Sequence, residues 1–145
     1  MTDHPPTMLH RLQQAIDAHD LDALVALFAA DYRNETPVHP ARGFAGRDQV
    51  RANWTHILAA VPDLRAVLLR WAEGSPEDPA LWAEWDWSGN RADGSVLRMR
   101  GVTVLGLDRQ RHQDVVRWAR FYMEPVDDDG SGVAEAVRRT MGAVR

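Results

Sequence analysis

The chain has no cysteine and no lysine; all 17 of its Lys/Arg-type cations are arginine. Without thiols, disulfides, thiolate nucleophiles and thiolate metal sites are excluded together. Without an ε-amine no Schiff base can form with a carbonyl substrate, which removes lysine-dependent aldolase and pyridoxal chemistry. Basic runs are missing too, and a net charge of -4 with a pI near 5.8 opposes a general nucleic-acid surface, because phosphate binding rests on clustered cations. No apolar run approaches membrane-spanning length, and Met1 to Thr7 lacks the charged and apolar regions of a signal peptide. The expectation is a cytoplasmic protein with neither a membrane nor a nucleic-acid partner.

What is plentiful is apolar and aromatic: 45% of the 145 residues are hydrophobic and six are tryptophan, enough for one domain to bury a core unaided. Leu9, Leu12 and Ile16, flanked by Met8 and Ala15, predict a helix from Thr7 that pauses at His19-Asp20. Asp20 then caps a second helix, whose stripe of Leu21, Leu24, Val25 and Phe28 runs to about Ala30-Asp31. Tyr32 to Thr36 predicts a short strand, and Pro37 to Ala45 a loop of the kind that borders pockets. Gly46 opens a third helix with Val50, Trp54, Ile57 and Val61 on one side, closed by Pro62.

From there the chain reads as sheet. Strands are expected over Leu64 to Glu73, Ala80 to Ser88 and Ser95 to Leu107, with turns at Gly74 to Pro79 and Gly89 to Gly94 and a polar turn over Asp108 to Gln113. Registering the middle hairpin about its turn sets Glu84 opposite Arg100 and Asp86 opposite Arg98, with Trp82 on that outward side. The other side then carries Leu81, Ala83, Trp85, Trp87, Met99, Gly101 and Thr103. An acidic, glycine-containing linker from Asp127 to Gly132 leads to a tail helix striped by Val133, Val137, Met141 and Val144, expected to dock on the mouth of its own domain or on a partner. Residues 1–126 thus form the domain body and 127–145 its linker and tail helix.

The stretch Asp114 to Pro125 predicts the last strand of the sheet, β-branched and aromatic until Pro125 stops it. Strict alternation puts Val116, Trp118, Arg120, Tyr122 and Glu124 on one side and Val115, Arg117, Ala119, Phe121 and Met123 on the other. The first set, aromatic with a guanidinium, a phenol and a carboxyl group among its members, has the composition of a pocket wall. The second is ordinary packing.

Three helices followed by a long antiparallel meander make an α+β arrangement in which a curved sheet wraps the helices. Asp20-Leu-Asp-Ala-Leu-Val-Ala-Leu-Phe-Ala-Ala-Asp31, Gly46-Arg-Asp-Gln-Val50, Trp85-Asp-Trp-Ser-Gly89 and Arg120-Phe-Tyr-Met-Glu124, in that order, resemble the SnoaL-like branch of the nuclear transport factor 2 superfamily over about residues 8 to 126. The resemblance implies a cone-shaped α+β barrel with an internal cavity. It fixes function less well, because members include ketosteroid isomerases, limonene epoxide hydrolases, polyketide cyclases and noncatalytic binding domains.

Carried over residue by residue, the isomerase pattern is vacant here: its general-base aspartate falls at Thr36, its oxyanion tyrosine at Leu12 and its oxyanion aspartate near Gly101. The cyclase-like ending of tyrosine, any residue, then an acid is matched by Tyr122-Met123-Glu124, with glutamate for aspartate. Glu124 is therefore either a general acid/base with a raised pKa in an apolar cavity or a rim carboxylate paired with Arg120. Tyr122 and Arg120 are candidate stabilisers of a developing oxyanion. Asn34 and Thr36 share one side of the first strand and suit water or ligand positioning, while Trp54, Trp85, Trp87, Met99 and Trp118 are candidate lining. His39 and His56 match no metal spacing, so neither a metal nor a cofactor is expected. Two readings stay open: cofactor-free acid/base chemistry on a carbonyl compound, or a noncatalytic module that binds a small apolar or aromatic ligand or dimerises. A homodimer through the outer sheet face, with Trp82, Val102 and Val104, is expected in both.

Overall fold

A computed structural model of the chain describes residues 4–109, 113–128, 130–142 and 144. The polar turn expected over Asp108 to Gln113 therefore falls in part outside the described residues. The fold is mixed α+β, with a six-stranded curled sheet and four helices.

Helix α1 (Thr7–Asp17) buries Met8, Leu9, Leu12, Ala15 and Ile16, the face its spacing predicts. Asp20 caps α2 (Leu21–Val25), its carboxylate accepting the Ala23 N–H at 3.0 Å. That helix stops well short of the expected Ala30, because Phe28 already begins β1 (Phe28–Glu35). Leu24, Val25, Leu27, Phe28 and Ala29 are all buried, and a short run that is apolar all round carries no period to separate a helix from a buried strand. Backbone pairing decides it. The Leu27 carbonyl accepts the Val116 N–H at 2.8 Å, tying this segment to the last strand.

After a loop with one 3-10 turn at Pro40–Arg42 come β2 (Phe44–Ala45), antiparallel to β1, and α3 (Arg47–Ala60). Gly46 makes the turn into α3 at φ 96°, a conformation costly for a side chain. β3 (Arg65–Glu73), β4 (Ala80–Asn90), β5 (Val96–Asp108) and β6 (Val115–Pro125) follow, in the sheet order β2-β1-β6-β5-β4-β3. One expectation needs correction here: β1 runs parallel to β6, so the sheet is mixed and not wholly antiparallel. The expected strand between the second and third helices is longer than Tyr32 to Thr36, and β2 follows it before α3.

The β4–β5 hairpin pairs Asp86 with Arg100, Ser88 with Arg98 and Glu84 with Val102, two residues from the expected register. Its turn, Arg91 to Ser95, is closed by the Arg91 N–H on the Ser95 carbonyl at 2.8 Å, with the Asp93 carboxylate accepting from Ser95. A two-residue slide keeps every side chain on its expected face. Asp86 now takes both guanidinium groups on one oxygen, Arg98 at 3.4 Å and Arg100 at 3.2 Å.

In β6 the difference is larger. Leu107 pairs with Val116 and Gly106 with Trp118, so Arg117 is an extra residue in the strand and the alternation changes phase there. Val116 faces the core, and beyond the bulge Ala119, Phe121 and Met123 face inward while Trp118, Arg120, Tyr122 and Glu124 face outward. Gly106 makes the outward placement possible: a Cβ there would run into the Trp118 indole that lies over it. Helix α4 (Val133–Met141) buries none of its residues, so docking across the mouth of its own domain does not occur.

Gly101, at φ 150° opposite Met123, is closely flanked by backbone, since a Cβ would collide with the Tyr122 carbonyl and the Met123 backbone. Backbone on both sides cannot move aside as a side chain would. Gly101→Ala is expected to cost about 3 kcal/mol or more in chemical denaturation; a change within about 0.5 kcal/mol would show slack in this strand pair.

Candidate functional site

A cavity of about 270 Å³ lies on the inner side of the sheet. Its walls come from α1 (Leu12, Ile16), α3 (Val50, Trp54, Ile57), β4 (Trp85, Trp87), β5 (Met99, Thr103, Leu105) and β6 (Ala119, Phe121). β1 adds Phe28, Tyr32 and Asn34, the loop that follows adds Thr36 and Arg42, and β2 adds Phe44. The inner positions of the central strands are occupied by small residues, Ala83, Gly101, Thr103 and Ala119, between the large side chains of the helices and β4. Of these, Thr103 and Ala119 border the void and are too small to fill it.

Aromatic contacts hold its outline. Trp54 meets Trp87 with ring centroids 5.5 Å apart, Trp87 meets Phe121 at 5.9 Å, and Tyr32 meets Phe44 at 6.0 Å, all in tilted or edge-on geometries. Trp85 is fixed differently, its indole N–H donating to the buried Thr103 hydroxyl at 3.0 Å. The Trp87 indole N–H is also buried, yet it has no hydrogen-bond partner.

The polar groups gather at the β1 end. The Tyr32 hydroxyl donates to Asn34 Oδ1 at 2.9 Å, and Asn34 Nδ2 donates on to Thr36 Oγ1 at 3.4 Å. Burial pushes the Tyr32 phenol well above its ordinary pKa, so it stays a donor across the physiological range. On α3, Asn53 Oδ1 accepts from Gln49 at 2.7 Å. Arg42 is the one ionised residue among the described lining residues, which include no carboxylate. Chemically the arrangement can enclose a compact apolar body and present hydrogen-bond donors and a guanidinium to one end of it.

Six of the sequence-derived candidates, Asn34, Thr36, Trp54, Trp85, Trp87 and Met99, border this cavity. Trp118, Arg120, Tyr122 and Glu124 do not, because the bulge at Arg117 turns them to the opposite face of the sheet. Arg120 pairs with Glu35 at 3.2 Å and sits over the Trp118 ring at 5.6 Å. Tyr122 is exposed across from Val102. Glu124 meets His39 Nε2 at 2.7 Å, not Arg120, and about half of its side chain is at solvent. That contact ties the loop carrying Arg42 to the end of β6. His56 is exposed on α3, and among the described residues no group of three or more His, Asp or Glu is placed to hold a metal ion.

Sequence reasoning missed Tyr32, Arg42, Phe44, Asn53, Ala119 and Phe121 as lining. Ala119 and Phe121 were on the side of β6 read as ordinary packing. Arg42 and Phe44 fall in the stretch Pro37 to Ala45, which has no period, and only its likeness to pocket-bordering loops gave a signal; Phe44 is in fact paired in β2.

The family described as SnoaL-like domain matches residues 9–118. No curated protein matches the sequence. Among similar solved structures, a Mycobacterium tuberculosis protein in complex with estradiol-17beta-hemisuccinate has 20% identity and a TM-score of 0.67, over 79% of this chain and 89% of its own. A Catenulispora acidiphila protein with a ketosteroid isomerase-like fold, in complex with trimethylamine, has 17% identity and a TM-score of 0.62, over 82% and 87%. SalBIII, an epoxide hydrolase/cyclase-like enzyme of pyran ring formation in polyether salinomycin, has 14% identity and a TM-score of 0.68, over 81% and 88%. At these identities the likeness is one of fold.

The two inner tryptophans of β4 predict opposite mutational behaviour. Trp85→Phe removes the donor that serves the buried Thr103 hydroxyl and is expected to cost about 1–3 kcal/mol in chemical denaturation. Trp87→Phe deletes an N–H that has no partner to lose, so its cost is expected to be smaller. Equal losses would mean that the hydrogen bond to Thr103 contributes nothing.

Proposed function

The chain belongs to the SnoaL-like domain family, and from that premise and the cavity's lining we propose that it binds one compact, largely apolar or aromatic molecule on the inner side of its sheet. The observation that carries this reading is a void of about 270 Å³ left open between Trp54, Trp85 and Trp87. That is near the lower end of the roughly 300–1,000 Å³ of ligand pockets, and suits a one- or two-ring molecule. An aromatic ligand burying roughly 200 Å² would gain about 5 kcal/mol from apolar transfer before the cost of association. Micromolar affinity needs about 8 kcal/mol, so the polar end of the cavity has to contribute.

Noncatalytic binding is favoured over acid/base chemistry. Proton transfer needs a group within hydrogen-bond reach of the bound molecule, and no carboxylate or histidine stands among the described lining residues. Thr36 occupies the position at which the resemblance put a general base, and its hydroxyl is a poor proton acceptor. Glu124, Tyr122 and Arg120 face away from the cavity and are left out of the mechanism. Binding proceeds by displacing cavity water onto aromatic walls, with orientation set by Asn34, Thr36 and Arg42.

Assembly belongs to the same reading: we take the protein as a cytoplasmic homodimer. Trp82 and Tyr122, each about 40% exposed, stand on the outer sheet face with Val102, and the α4 stripe of Val133, Val137 and Met141 is likewise uncovered. Both are apolar surfaces of the kind that a second copy covers. Sedimentation of the full chain at micromolar concentration is expected to give twice the monomer mass, and Trp82→Arg to shift it toward monomer. Monomer alone in the parent protein ends the assembly proposal.

For the cavity, the test is quenching of tryptophan fluorescence by the neutral probe methyl 2-naphthoate. The parent protein should be quenched saturably. Ala119→Leu, which adds apolar volume inside the void, should weaken binding at least about tenfold, or about 1.4 kcal/mol, with no loss of melting temperature. Equal affinity in both proteins would place the probe elsewhere and end the proposal.

A further inference from the structure

We propose that the natural ligand is an anion: a compact ring compound bearing a carboxylate, its ring among Trp54, Trp87 and Phe121 and its carboxylate on Arg42 and Thr36. The inference rests on the binding reading above and narrows it to a ligand class.

The charge inventory comes first. Arg42 lines the cavity, and among the described residues no acid is paired with it, whereas Arg98, Arg100, Arg117 and Arg120 each hold a carboxylate. The lining therefore carries a positive charge that nothing within it offsets. A guanidinium matches a carboxylate in shape as well as in sign, since its parallel N–H groups meet the two oxygens.

Hydrogen-bond polarity points the same way. Asn34 Oδ1 already accepts from Tyr32, Thr36 Oγ1 accepts from Asn34, and Asn53 Oδ1 accepts from Gln49. Each of these oxygens thus already accepts one hydrogen bond within the protein and keeps one lone pair. Against that the cavity offers the Thr36 O–H, spare amide N–H groups on Asn34 and Asn53, and the guanidinium of Arg42. A site that offers mainly donors complements a group that only accepts, and an ionised carboxylate is such a group.

Aromatic walls alone would also suit an organic cation, which is attracted to ring faces. Two facts oppose that occupant here: Arg42 would repel it, and no carboxylate of the described lining would balance its charge. Arg42 is exposed, so solvent weakens its field, and the expected preference is moderate and salt-dependent.

The experiment titrates the full chain with three probes that share one ring system: 2-naphthoate, methyl 2-naphthoate and (2-naphthyl)methylammonium. 2-Naphthoate is expected to bind about tenfold more tightly than the ester at low ionic strength, a difference of about 1.4 kcal/mol. High salt should shrink that ratio. Arg42→Gln should bring it near one, Arg42→Lys should restore part of it, and Thr36→Val should lower it. An ester that binds as tightly as the anion, or a preference for the ammonium probe, overturns the anion assignment while leaving the cavity reading standing. Failure of all three probes to quench the parent protein overturns both.

Discussion

The extra residue at Arg117 in β6 is the constraint on which the rest of this site depends. A β-strand shows its two faces with a period of two, and one unpaired residue exchanges them for everything beyond it. Here the exchange turns Ala119, Phe121 and Met123 toward the helices and sends Trp118, Arg120, Tyr122 and Glu124 to the other side. Gly106 makes it affordable, because only a residue without Cβ leaves room for the Trp118 indole across the pair. The chemistry of the cavity follows from that one shift. Its wall at β6 is a methyl group and a phenyl ring in place of a guanidinium, a phenol and a carboxylate.

The second determinant is the size of the inward residues. The aromatic rings at the cavity wall pack edge-on or tilted against one another, a favourable arrangement that also fixes their positions. Between them the sheet supplies Thr103 and Ala119, too small to fill the space. Gly101, near which the resemblance puts an oxyanion aspartate, cannot be enlarged without a collision with the Tyr122 and Met123 backbone.

Much of the fold was legible in the sequence. The period of α1, the Asp20 cap, the Gly46 turn into α3 and the placing of Trp82 outward and Trp85 and Trp87 inward all appear as their residues imply. Legibility failed where the deciding interaction is nonlocal. Whether Phe28 to Asp31 is helix or strand depends on parallel pairing with β6, and the hairpin register depends on where the Arg91 to Ser95 turn closes. Of the candidate site, the strand residues Asn34, Trp85, Trp87 and Met99 border the cavity, as do Thr36 just past the end of β1 and Trp54 on its helix. Those beyond the bulge do not, since alternation gives no warning of an inserted residue. Arg42 was invisible for a simpler reason: a loop has no period from which a facing direction can be read.

The six tryptophans provide the most direct test, because the fold sorts them by face. Trp54, Trp85 and Trp87 line the cavity; Trp71, Trp82 and Trp118 do not. Indole N–H signals in a proton–nitrogen correlation spectrum, assigned by substitution, report each ring separately as methyl 2-naphthoate is added. The account predicts that the signals of Trp54 and Trp87 move with saturating ligand while those of Trp82 and Trp118 stay in place. Movement of Trp118 with Trp54 and Trp87 unchanged would contradict both the bulge in β6 and the cavity as the binding site.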